Sequence, residues 1–140
     1  MNLRLLSLIT MLALLLTSCS SAEPQERRDI PIPPNLDYYN GAEETTLDGM
    51  WVATMLSREK MPKQRDTVYY WLPNTIEWQT IEQFYQENLD SSWQQDADIP
   101  LISGARWTRS SSAGTQILVL NEIGIAAEEG RILVMFLVTE

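Results

Sequence analysis

The stretch that most constrains the fold is Ile132-Leu133-Val134-Met135-Phe136-Leu137-Val138, seven apolar residues with no polar break. Residues 132–139 read as a long last strand. Side chains alternate along a strand, so Leu133, Met135 and Leu137 point one way and Ile132, Val134, Phe136 and Val138 the other. A strand apolar on both faces needs cover on both. Residues 67–72 are rich in β-branched and aromatic side chains and show the same property. Tyr69 and Trp71 share one face; Val68, Tyr70 and Leu72 share the other.

One helix is available as cover. Trp78, Ile81, Tyr85 and Leu89 recur at steps of three and four with Phe84 beside them, while Gln79, Glu82, Gln83 and Gln86 fill the opposite side. Asn74 and Glu77 stand at capping-box spacing, which predicts a helix start at Asn74, and Asp90-Ser91-Ser92 marks its end. One helix covers one face. The second face then needs the segment 30–56 folded back, a second copy of the chain, or another protein. At roughly 25 cal/mol per Å², an open face of several hundred Å² is worth roughly 10 kcal/mol to its cover. Trp71, Tyr69, Phe136 and Val134 are therefore the candidate interaction face.

Residues 51–56 read as a further strand, 58–66 as a charged loop, and 94–100 as a polar connection. Residues 105–109 and 116–122 read as strands, with turns at 110–114 and 124–130. Asn40-Gly41 and Asp48-Gly49 are turn signals. The expected fold class is α+β: an antiparallel sheet of about four to five strands with one amphipathic helix packed on one face, built from residues 35–140.

The first eighteen residues differ from the rest. Arg4 is their only charge, and residues 5–16 form an apolar run of 12. A membrane-spanning helix needs about 20 apolar residues, so the run fits the apolar core of a secretory signal peptide, residues 1–18. It ends in Leu16-Thr17-Ser18-Cys19. This resembles the lipobox of bacterial lipoproteins, and the lone cysteine of the chain stands where that motif needs it. The resemblance implies that Cys19 receives a diacylglyceryl group and that the peptidase cuts before it. It also implies acylation of the new amino terminus, with chains such as palmitate. Two or three acyl chains anchor a protein stably, each buried CH₂ contributing about 0.8 kcal/mol. Ser20, not an Asp, follows the cysteine, which resembles the outer-membrane sorting pattern of bacteria with two membranes. Residues 19–34 read as a flexible lipidated tether followed by the Pro-rich Ile30-Pro31-Ile32-Pro33-Pro34. That stretch is either a Pro-rich ligand for a groove or, with no basic residue placed as in usual PxxP ligands, a stiff spacer whose two isoleucines pack on the domain edge.

The order of strand, helix and Trp over residues 68–93 resembles a loose group of bacterial lipoproteins of unassigned function. The matching residues are Phe84, Tyr85, Leu89 and Trp93; Ser92 stands where that group prefers Gly. The likeness extends over roughly residues 30–138 and implies a helix on one face of an antiparallel sheet, with no activity attached.

Composition removes most familiar chemistry. The chain has 140 residues, no His and one Cys. No imidazole acid or base is available, and no internal disulfide or Cys-rich metal centre. Asp96 and Asp98 lack the further oxygen ligands of a calcium loop, and Glu128-Glu129 reads as a solvated turn. Paired carboxylates facing across a cleft have little room in so small a domain. No catalytic residue, metal or cofactor is expected. Ten basic against nineteen acidic residues disfavour nucleic acid. Cleavage before Cys19 removes one basic and no acidic residue, and so acidic a chain is repelled by anionic lipid.

These readings converge on an extracytoplasmic protein, lipid-anchored through Cys19 to the cell membrane or outer membrane. Its expected role is a non-catalytic accessory or assembly subunit of a membrane or envelope complex, with a protein partner there. The alternative is a binding module for a cell-wall glycan or small amphiphile, using aromatic residues on the sheet.

Overall fold

The computed structural model describes residues 22–40, 64–97, 103–125 and 130–140. They form an α+β fold with a five-stranded antiparallel sheet and one helix. The strands are β1 (Gln64–Leu72), β2 (Gln94–Gln95), β3 (Gly104–Ser111), β4 (Gly114–Ile125) and β5 (Gly130–Thr139), in the order β1-β5-β4-β3-β2. The helix α1 (Trp78–Asn88) joins β1 on one side of the sheet to β2 on the other.

The continuous apolar run becomes the central strand β5, paired with both β1 and β4. On one face Leu133, Met135 and Leu137 join Val68, Tyr70, Leu72, Ala105, Trp107, Leu118 and Leu120. The helix packs Trp78, Ile81 and Tyr85 onto this layer, with Phe84 and Leu89 partly buried at its margin. The periodicity of the helix thus places its aromatic stripe as expected. Burial pushes the Tyr70 phenol up to about 12, so it stays neutral at physiological pH.

The helix begins later than the capping-box spacing predicts. Glu77, not Asn74, is its N-cap. Residues after Pro73 first make a turn, with the Ile76 N–H donating to the Pro73 carbonyl at 3.0 Å. Arg131 fixes that turn: Nη2 donates to the carbonyls of Pro73 and Ile76 at 2.8 and 2.7 Å, and Nη1 meets Glu122 at 3.0 Å. The Asn74 side chain accepts from Arg131 rather than capping the helix.

Other boundaries also move. β1 starts at Gln64, inside the expected charged loop. Gln94–Gln95 form a short edge strand instead of a plain connection. β3 and β4 both run further into the hairpin than expected, leaving Ser112 and Ala113 as its tip, and β4 extends to Ile125. The expected strand at 51–56, the Asp48-Gly49 turn and Asp98 lie outside the described residues, as do Glu128-Glu129.

The second face is not open. Val134 is 3 % and Phe136 6 % exposed, and Ile117, Val119, Ile132 and Val138 are buried too. Among the described residues Tyr39 supplies cover: its ring meets Trp71 edge-on at 4.7 Å and packs with Ile132 and Val134. Backbone bonds hold it there, Tyr39 N–H to the Tyr69 carbonyl at 2.9 Å and Trp71 N–H to the Asp37 carbonyl at 2.8 Å. Residues 37–39 thereby line the outer edge of β1, an edge that otherwise exposes unpaired backbone. The candidate interaction face of Trp71, Tyr69, Phe136 and Val134 is corrected accordingly. Those side chains share a face, but one copy of the chain already buries two of them and half-buries the others.

Candidate functional site: the docking groove of the N-terminal arm

The apolar layer under the helix ends where the helix ends. One rung further along the sheet, the inward positions change character. Arg109 of β3 pairs in register with Gln116 of β4, and Gln116 with Thr139 of β5. All three are buried, at 6 %, 1 % and 7 % exposure. Buried polar side chains require partners. Here the partners come from the segment that follows Cys19.

That segment crosses the rung. The Ala22 carbonyl accepts from Ser112 N–H at 2.9 Å. The Glu23 carbonyl accepts from Arg109 Nη2 at 2.9 Å. Gln25 is gripped at both backbone groups: its N–H donates to Gln116 Oε1 at 2.8 Å, and its carbonyl accepts from Gln116 Nε2 at 2.8 Å. A side-chain amide bound this way imitates a neighbouring strand. Gln116 Nε2 also reaches Thr139 Oγ1 at 3.4 Å. Arg27 then meets Asp66 of β1 at 3.2 Å. Residues 23 and 25 thus contact β3 and β4 as an extended chain laid across the strands, and Arg27, at the start of the following turn, reaches β1.

The Gln25 side chain adds a second set of bonds. Its oxygen accepts from Trp93 Nε1 at 2.9 Å, and its nitrogen donates to Asp90 Oδ2 at 2.7 Å. Trp93 stacks on the Arg109 guanidinium, 5.5 Å from the ring centroid. Asp90 lies 3.9 Å from Arg109 Nη1. The Ser92 hydroxyl and backbone N–H, with Gln25 and Arg109, hold the Asp90 carboxyl below its ordinary value; bonds from Ser92 are the largest cause. Among the described residues, Arg109 Nε and Nη1 make no hydrogen bond, so this arginine is held by one carbonyl, one ring and one nearby carboxylate.

After Gln25 the chain makes a short 3-10 turn at Arg27–Asp29, closed by Glu26 N–H to the Asp29 carboxylate at 2.8 Å. Ile30 then enters the main core at 2 % exposure, while Ile32 stays 41 % exposed. The expected free tether is therefore corrected from Ala22 onward. Its polar composition reads as solvated, yet its backbone is bound. The expected spacer is corrected in part: Ile30 and Pro33 pack, but Ile32 does not. A cavity of 290 Å³ remains beside the arm, lined by Gln25, Glu26, Arg27, Asp66, Leu137 and Thr139.

Sequence reasoning missed Arg109, Gln116, Asp90 and Gln25. A signal for two of them exists in the alternation. Ala105 and Trp107 lead inward to Arg109, and Leu118 and Leu120 lead back to Gln116. Cys19, the candidate lipidation residue, lies outside the described residues. Among the described residues no helix is long and apolar enough to cross a membrane, and no group of His, Cys, Asp or Glu is placed to hold a metal ion. The chain matches no family model, no curated protein and no solved structure.

Proposed function

We propose that the protein is an extracytoplasmic lipoprotein, anchored through Cys19, that serves as a non-catalytic accessory or assembly subunit of a membrane or envelope complex. The observation that carries this reading is the docked arm. The lipobox-like Leu16-Thr17-Ser18-Cys19 leads, three residues on, into Ala22, where the chain is already bonded to the sheet. Arg109, Gln116 and Asp90 converge there and are spent on the chain's own backbone and Gln25. That use of the groove favours positioning over turnover of a substrate. A protein fixed so near its anchor is suited to work beside the membrane.

The test is purification of tagged, full-length protein from its own membranes in mild detergent. Fixed stoichiometric companions support the subunit reading. Recovery alone, as monomer or homodimer, overturns it. The anchor is tested separately: Cys19→Ser should leave the protein unprocessed or release it from membranes, and normal maturation and partitioning would contradict lipidation.

A further inference from the structure

The docked arm also sets which end of the domain meets the bilayer. We propose that the β3–β4 hairpin end is the membrane-facing end, held against the lipid headgroups by the arm; this rests on the lipid anchor at Cys19 proposed above.

Chain length makes the geometry tight. Only Ser20 and Ser21 separate Cys19 from Ala22, three chain steps with a reach of at most about 10 Å. Ala22 is bonded to Ser112 at the hairpin tip. The tip, one hydrogen bond beyond Ala22, therefore lies within about 15 Å of the lipidated residue. From Gly114 β4 runs away from the tip, and Gly124, ten residues along, is about 34 Å distant. A free tether running to the buried Ile30 would instead let the domain tumble, since eleven residues span up to about 37 Å.

The tip suits a polar lipid surface. Ser110, Ser111, Ser112, Ala113 and Gly114 carry no charge and no large apolar group. They neither insert into acyl chains nor repel phosphate. Glu23, Asp90 and Glu140 flank the same end: the Glu23 backbone carbonyl accepts from Arg109, the Asp90 carboxylate accepts from Gln25, and Glu140 N–H donates to the Thr115 carbonyl. Arg27 and Arg28 lie on the same arm, so the charges there are mixed and the short leash, not charge attraction, sets the contact. Added salt then leaves the contact intact.

The test uses full-length lipidated protein in phosphatidylethanolamine–phosphatidylglycerol vesicles that carry a headgroup quencher. Lipidation occupies the only native thiol, so one introduced cysteine can be labelled alone. Ala113→Cys marks the tip, and Gly124→Cys marks the far end, where an added side chain meets nothing within 4 Å. Quenching several-fold stronger at 113 than at 124 is expected. Equal quenching, or stronger quenching at 124, overturns the orientation. Combining Arg109→Ala with Gln116→Met should lower quenching at 113 while flotation with vesicles persists. Undiminished quenching in that variant would mean that the arm does not hold the tip. Failure of the unsubstituted protein to float refutes the anchor, a result distinct from flotation with uniform quenching.

Discussion

Replacing Gln116 with Met keeps the length of the side chain and removes its hydrogen bonds. Two of those bonds, both 2.8 Å, hold the backbone N–H and carbonyl of Gln25. A typical neutral hydrogen bond contributes about 0.5–1.5 kcal/mol net, so the pair is worth about 2 kcal/mol of arm docking. That corresponds to about a 30-fold rise in the open fraction of the arm. The global cost is smaller than the local one. Gln25 is only half-buried, and its freed groups regain water once the arm lifts. The assay is amide hydrogen exchange resolved by residue. The Gln25 amide should exchange about 30-fold faster in Gln116→Met, while the Met135 amide in the central strand changes far less. Unchanged protection at Gln25 would show that Gln116 does not hold the arm, and the reasoning about the polar rung would fall with it.

Four further outcomes follow from the same geometry. The Asp90 carboxyl is held below its ordinary 3.8 in the folded protein, so its contribution to stability is complete above that value and is lost as pH falls through the lowered one; arm protection should weaken over that acid window, and Asp90→Asn should flatten the dependence in exchange measurements. Phe136→Lys puts a charge where the side chain is 6 % exposed, costing several kcal/mol, so cooperative unfolding in urea should be lost or strongly shifted. Gly114 has φ +128°, and a methyl group there would overlap the Glu140 carbonyl oxygen, so Gly114→Ala should lower stability by about 1–3 kcal/mol in the same melts. Ile32→Ala, at a position 41 % exposed, should stay within about 0.5 kcal/mol of the parent.

How much of this was legible depends on which chemical groups carry each contact. The alternation of Leu133, Met135 and Leu137 against Ile132, Val134 and Phe136 announces a strand covered on both faces, and the Trp78–Ile81–Tyr85 spacing announces the helix laid on one of them. Those contacts are made by side chains, so the sequence displays them. The start of the helix was misplaced because Arg131, distant in sequence, captures the Pro73 and Ile76 carbonyls and stabilises a turn that local spacing does not reveal. Among the described residues Tyr39, from the segment 30–56, covers part of the second face; which of the three expected covers is used was not legible, because residues 37–39 lack strand character and pair through the backbone.

The arm was the least legible element, for a related reason. Ala22, Glu23 and Gln25 are bound chiefly through peptide groups, which every residue carries. Polar composition then reads as solvation. The receiving side was more visible: an arginine and a glutamine at inward positions of two neighbouring strands each end an apolar series. A buried polar rung of this kind asks what it binds, and the fold answers with the chain's own entry segment.

The measurement that bears most directly on the account is the mass of the tryptic amino-terminal peptide of the protein taken from its own membranes. Cleavage after Arg27 isolates the docked arm with whatever precedes it. The expected peptide begins at Cys19 and carries a diacylglyceryl group, with an amide-linked acyl chain where the amino terminus is modified. A peptide extending upstream of Cys19, or one with an unmodified Cys19 thiol, would contradict it.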